Sequence, residues 1–531
     1  MYAPPPSDPP ADGFGAIRAA ACVAAFVTML ALDGINSTLL VVNRGAVAGS
    51  FAAIPDEIAW LNIAYLAAKI TAFALSPRLA ERFGPWRVLL AASLGLALAT
   101  AALGLTADAF WSAVACRVAQ GALGGLLLVT GQSLVFALQP TRRQPLLQAL
   151  LALPIVVLPT TIAPALHGWS TDAHAWQLLF LLSGAIGMLG SGVLAIAGGQ
   201  DRPDRSTRLP GAGVCVLLAL ATTGFVYVLQ KGARYDWFDD PDFVDACLWT
   251  LLAFAGLVLA LARSKAPLFS TAVFRDARFS FGFCATFAAG FVLFGSASAI
   301  SLFAANVLQL APVHVGQITL SSSIMVALGL LSAGLVIQYT RARVELPIPV
   351  GIVLFMTGMW LLSHATPDSG RSELAVATWC RGLGMGALFM SLTMLTLGHV
   401  KQGLKAHGVA LFNLGRQVGG LAGSAFVLSW LEWRVPAHMT VLSQYLVAGR
   451  PAVETSRAAL ASALVAHGVD ASQGPVAALA VLARALGRQS AARAFDELFL
   501  GLGAFFLVAI PVLVAIRIVL ERAQRRRSQP A

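Results

Sequence analysis

Apolar runs of about 20 residues recur along this chain from one end to the other. Each is long enough to cross a hydrocarbon layer of about 30 Å. Inside lipid, such runs satisfy their backbone hydrogen bonds as α-helices; a membrane barrel would instead show short segments of alternating polarity. Composition agrees: 58% of the 531 residues are hydrophobic, 11% are charged, and the mean hydropathy is +0.77. The fold class expected is an all-α polytopic membrane protein. About fourteen spans are legible, near 17–41, 58–79, 88–106, 110–137, 145–166, 176–198, 211–230, 243–263, 280–304, 315–338, 346–363, 374–398, 409–431 and 498–520.

The connecting loops differ in charge. Alternate loops carry Arg82, Arg87, Arg142, Arg143, Arg202, Arg205, Arg208, Arg263, Lys265, Arg275, Arg278, Arg341, Arg343, Lys401 and Lys405, whereas the short loops between them carry Arg44, Lys231, Arg234 and Arg371. The excess of Lys and Arg marks the cytoplasmic side, so both termini are expected inside, as an even number of spans requires. The net charge of +11 is explained by this bias. No basic stripe interleaved with aromatics points to nucleic acid. The six cysteines lie within or at the edges of spans without CxxC spacing and read as small core residues.

An internal repeat divides the chain. CRVAQGALGG (116–125) and CRGLGMGAL (380–388) both place Cys-Arg within a span, followed by a glycine-rich face. Two six-helix halves are expected, 17–198 and 280–520, with a linker over 199–279 that carries two extra spans. Pro-rich residues 1–16 read as a disordered cytoplasmic tail and 521–531 as a basic one. Residues 432–497 form a long loop on the other side, with two or more amphipathic helices expected outside the membrane.

Several stretches resemble one known family. LD (32–33), LAERFGPWR (79–87), RVAQG (117–121), WQLLFLL (176–182) and RQSAARAFDELF (488–499) resemble the fourteen-helix drug:proton antiporters of the major facilitator superfamily, the EmrB/QacA type. APALHG (163–168) keeps Pro164 and Gly168 of that family's helix-five motif, with Ala163 and His167 in place of glycines. The resemblance implies a bacterial inner-membrane permease that exports small amphipathic compounds in exchange for protons. It implies conformational gating at Glu81, Arg82 and Gly84, and close helix packing at Gly121, Pro164 and Gly168. It also implies docking of a periplasmic membrane-fusion adaptor near 432–497.

Five charged side chains lie well within spans: Asp33, Lys69, Arg117, Arg381 and Arg416. A charge at that depth costs roughly 2.5–3.5 kcal/mol on insertion scales, which makes each a functional candidate. Helical spacing aligns Asp33 with Asn36 and Ser37, Lys69 with Asn62, Tyr65 and Ser76, Arg117 with Gln120 and Gly124, and Arg416 with Asn413, Gln417 and Gly420. Such faces are expected to line a central substrate cavity, with Arg381 echoing Arg117 through the repeat. Asp33 is the one carboxylate deep in any span and can exchange a proton as its surroundings alternate between dry and wet. In the resemblance, Arg117 joins it in proton coupling; the structural alternative is a permanent Asp33–Arg117 pair. Lys69 is expected to meet Asp33 or an anionic substrate group. One acid facing four bases favours anionic or neutral amphiphiles.

Enzymatic chemistry finds little support. HGWSTD (167–172) has His-x4-Asp spacing but no companion motif, and neither GxxxxGK[ST] nor HExxH occurs. No catalytic residue, metal or cofactor is expected beyond the proton gradient. A proton-coupled transporter of one specific metabolite, or a transport-inactive sensor, would share the same spans.

Overall fold

In the computed structural model, residues 13–42, 44–105, 109–138, 143–158, 176–199, 201, 203–264, 266–340, 343–447 and 449–528 are described. They form helices without strands. In chain order these are α1 (Gly13–Val42), the short α2 (Arg44–Phe51), α3 (Pro55–Phe83), α4 (Pro85–Leu105), α5 (Phe110–Leu138), α6 (Gln144–Ala152) and α7 (Trp176–Ala197). Then follow α8 (Ala212–Lys231), α9 (Pro241–Arg263), α10 (Ala277–Asn306), α11 (Pro312–Tyr339), α12 (Pro347–Leu362), α13 (Arg371–Leu397), α14 (Lys405–Ser443), α15 (Pro451–Ala466) and α16 (Gly474–Ser528).

Eleven of the described helices are long and apolar enough to cross a membrane. The segment 144–157 and α12 are apolar but shorter, and α14 carries Lys405, His407, Asn413 and Arg416 in its first turns. Of the fourteen expected spans, the one at 145–166 runs on beyond the described residues, and those at 346–363 and 409–431 fall short of that length or hydropathy. Local chemistry explains the helix starts. Asp240 and Asp276 accept backbone N–H groups at the first turns of α9 and α10, and prolines occupy the first turns of α3, α9, α11, α12 and α15. Pro154 follows α6, where the chain widens into a π-turn over Leu153–Val157.

The helices pack in two groups. α1, α3, α4, α5 and α7 pack on one another, as do α10, α11, α12, α13, α14 and α16. The α8–α9 pair packs against α3, and α9 buries little beyond Phe243 and Leu257, so most of its surface is left for lipid. The groups meet where α3 and α5 pack on α14 and where α6 packs on α11. The largest hydrophobic core crosses that boundary, joining Leu128, Phe136 and Leu151 to Leu330, Met390 and Phe412.

The segment expected as a separate external loop is largely an outgrowth of its flanking helices. α14 runs on to Ser443 without a break, and α16 begins at Gly474, with α15 packed beside it. At 1.5 Å per residue, the 55-residue α16 is about 80 Å long, more than twice the thickness of a hydrocarbon core.

Candidate functional site

Asp33 is 2% exposed, the least exposed acidic residue among those described. Its Oδ2 pairs with Lys69 Nζ at 2.6 Å, and its Oδ1 accepts from Tyr65 OH at 2.8 Å. Tyr65 OH in turn accepts from Lys69 Nζ at 2.8 Å. The counter-ion of Asp33 is thus Lys69 on α3, not Arg117 as a permanent Asp33–Arg117 pair would require. Arg117, fully buried on α5, stacks its guanidinium on the Tyr65 ring at 4.2 Å. It donates to the carbonyls of Asn36 (3.0 Å) and Leu61 (3.2 Å) and to Gln120 Oε1 (2.8 Å). Its Nη2 and Asn36 Oδ1 are buried without a hydrogen-bond partner. Asn36 Nδ2 and Gln120 Nε2 both donate to Thr100 Oγ1. Glycines make room for this centre. A Cβ on Gly124 would run into Asp33 Oδ1, and one on Gly121 into the Tyr65 carbonyl oxygen.

The polar residues expected along one cavity are distributed over separate places. Asn62 turns to the inserted helix, donating to Gln230 Oε1 at 3.2 Å. Arg381 is held within the second group, by Ser296 Oγ (2.8 Å), Ser322 Oγ (3.0 Å) and the Leu293 carbonyl (3.0 Å). It does not occupy the place of Arg117. The close-approach glycines of α5 are Gly121 and Gly125, against Tyr65 and Lys69; those of α13 are Gly382 and Gly386, against Ser322 and Val326. Matching those contacts puts Arg381 at the position of Gln120. Asn413 and Arg416 line a cavity between the two groups together with Gln132 of α5 and Gln148 of α6. Gln417 is half-buried and lines no part of it. Gln132 and Gln148 escape the sequence reading, although an amide within an apolar run is the available signal.

At the end of the bundle that carries the LAERFGPWR turn, Glu81 bridges the groups. Its carboxylate pairs with Arg78 (3.0 Å) and with His407 Nε2 on α14 (3.0 Å). The Ser270 N–H points to His407 Nδ1 at 3.4 Å, so the ring proton sits on Nε2 and is donated to Glu81. Arg82 takes no ion pair among the described residues. Its charge adds only a minor lowering to the Asp204 carboxyl, which hydrogen bonds from Ser206 and Thr207 already hold below its ordinary range. Gly84 adopts φ = 95°, where a side chain is strained, and a Cβ there would press on Asp201. The Asp201 carboxylate caps α4, accepting from the Trp86 and Arg87 N–H groups at 2.8 Å each. Pro164 and Gly168 lie outside the described residues.

A helical bundle in two groups, with buried charge between helices and a polar seam where the groups meet, is the architecture of a carrier. The Major Facilitator Superfamily family model matches residues 21–424, and the chain belongs to that superfamily. Among its curated relatives are the colistin resistance protein EmrB of Acinetobacter baumannii (24% identical, covering 82% of this chain and 83% of the relative) and the fatty acid resistance protein FarB of Neisseria gonorrhoeae (23%, covering 91% and 93%). The multidrug export protein EmrB of Haemophilus influenzae is 24% identical over 82% of this chain and 85% of its own. Among solved structures, the proton:xylose symporter XylE shares the fold at a TM-score of 0.54 and 12% identity, covering 82% of this chain and 91% of that one. The human organic anion transporter MFSD10 does so at 0.52 and 13%, covering 94% and 100%.

Proposed function

We propose that this chain is a multidrug efflux permease that exports small amphipathic compounds, anionic or neutral, in exchange for protons. The observation that carries the reading is the Asp33–Lys69 pair, an ion pair buried between α1 and α3 well inside two apolar spans. While ionised, Asp33 binds Lys69 and Tyr65 and ties α1 to α3. A proton on Asp33 removes the charge that Lys69 is paired with, and Lys69 then faces Arg117 and Arg416 without compensation. Proton occupancy of Asp33 is thereby linked to how tightly α1 and α3 are held, which is what alternating access needs. The names of the curated relatives, which speak of multidrug export and of resistance, support export.

In this reading the Glu81–His407 bridge is a gate on the cytoplasmic side, both termini are cytoplasmic, and the membrane is a bacterial inner one. The chain is a carrier, not an enzyme, and the proton gradient replaces any cofactor. The helical outgrowth at 432–497 is where a periplasmic membrane-fusion adaptor would dock. The test is growth inhibition in an efflux-deficient bacterial host, with wild type and Asp33→Asn at matched levels, against weak acids, neutral amphiphiles and cationic dyes. Protection by wild type that disappears in Asp33→Asn is the expected outcome. Protection that survives Asp33→Asn removes Asp33 from proton coupling.

A further inference from the structure

Four side chains at the seam between the two groups form one directed chain of hydrogen bonds. Arg416 Nη2 donates to Asn413 Oδ1 (3.3 Å), Asn413 Nδ2 to Gln132 Oε1 (2.8 Å), and Gln132 Nε2 to Gln148 Oε1 (2.9 Å). All four are at least nine-tenths buried. The chain starts at a cation and uses each amide oxygen as an acceptor. What it leaves over are donors: Arg416 Nε and Gln148 Nε2 are buried without a partner. Both residues line the same cavity, whose remaining walls are mainly apolar and include Leu30, Leu128, Ile155 and Phe412.

A buried donor without an acceptor is costly, and more so when it is charged. The complement of two unpartnered donors, one of them cationic, is a group that only accepts and carries negative charge. An amide or hydroxyl would bring donors of its own, and an ammonium would meet Arg416 as a like charge. We infer that Arg416 and Gln148 form the headgroup site of the transported compound, and that this site takes the carboxylate of a small amphiphile. The cavity of about 20 Å³ has room for the headgroup alone, and the apolar body enters beside Leu30, Ile155 and Phe412 when the seam opens. The inference rests on the export reading above and narrows it to one ligand chemistry and two residues. It also separates the substrate from the proton, because neither Asp33 nor Lys69 lines this cavity, although Arg416 lies within electrostatic range of both. Gln148 belongs to α6 in the first half of the chain and Arg416 to α14 in the second, so the bound carboxylate touches both halves at once.

Isothermal titration of the full chain in lipid nanodiscs tests this with three probes that share one apolar body: 4-phenylbutyrate, 4-phenylbutyramide and 4-phenylbutylammonium. The carboxylate is expected to bind at least about tenfold more tightly than either of the others. Arg416→Gln should erase that margin, and Gln148→Leu should reduce it. Arg416→Lys should keep the preference for the anion at lower affinity, which distinguishes loss of charge from loss of fold. Equal binding of carboxylate and amide to wild type, no binding of the carboxylate, or an unchanged margin in Arg416→Gln overturns the assignment. Proton-driven efflux from cells is scored separately. Absence of the carboxylate margin in wild type beside intact, Asp33-dependent efflux refutes this site and leaves export standing. An intact margin without proton-driven efflux does the reverse.

Discussion

Asp33 and Lys69 are each tolerated in an apolar interior because each is the other's counter-charge, with Tyr65 closing the triangle. Removing one partner of a buried pair leaves an uncompensated charge, at a cost of about 3–5 kcal/mol, whereas replacing both by apolar groups is often nearly neutral. Thermal unfolding in detergent should therefore show Lys69→Met strongly destabilised, Asp33→Asn destabilised, and the double variant closer to wild type than either. Additive losses would mean that the two side chains do not depend on each other. The charged residues themselves are legible in the sequence, because a charge inside an apolar run stands out at helical spacing. Their pairing is not. It depends on how α1, α3 and α5 are rotated about their axes, and three cations within reach of one acid leave that choice open. Gly121 and Gly125 let α5 sit directly on α3, and Gly124 leaves the room on α5 that the Asp33 carboxylate occupies.

At the scale of elements, helix positions follow closely from the apolar runs, but helix ends in the outgrowth do not. Residues 432–497 read as a long loop with two or more amphipathic helices, and much of that helix is supplied by α14, which runs on to Ser443, and α16, which starts at Gly474. Pro436 sits inside α14 without ending it. The repeat is legible as a pattern, yet its register is set by which glycines touch a neighbouring backbone, and that moves Arg381 away from the place of Arg117. His407 carries no periodic signal at all; it becomes visible only when Glu81 is seen to face α14. The turn between α3 and α4 offers a test. Gly84→Ala forces a side chain into a left-handed φ and against the Asp201 carboxylate that caps α4. The strain costs about 1–2 kcal/mol and a lost cap about 1 more. A fall in unfolding temperature together with loss of efflux is expected, and a variant with wild-type stability would show that Asp201 does not need the space.

Across the whole molecule, side-chain hydrogen bonds between the two halves lie toward the end that carries Glu81, while Leu421 packs on Ile63 and Ala67 further along α3. Glu81 reaches His407, Gln132 reaches Asn413, and the Leu146 N–H donates to Gln338 Oε1 at 3.3 Å. The structure is therefore closed at that end. Alternating access requires these contacts to break in each cycle. In a cysteine-free background, Leu146→Cys and Gln338→Cys together should lock that end on oxidation, stopping transport until reductant is added; transport that continues in the cross-linked protein would place the moving parts elsewhere. In the proposed cycle a proton on Asp33 drives outward transport. Its most direct measurement is uptake into everted membrane vesicles of the compound against which the chain protects best, driven by an imposed acid-inside pH gradient with the membrane potential collapsed. Accumulation that tracks the gradient in wild type and vanishes in Asp33→Asn is the predicted result, and accumulation that is unchanged in Asp33→Asn would contradict it.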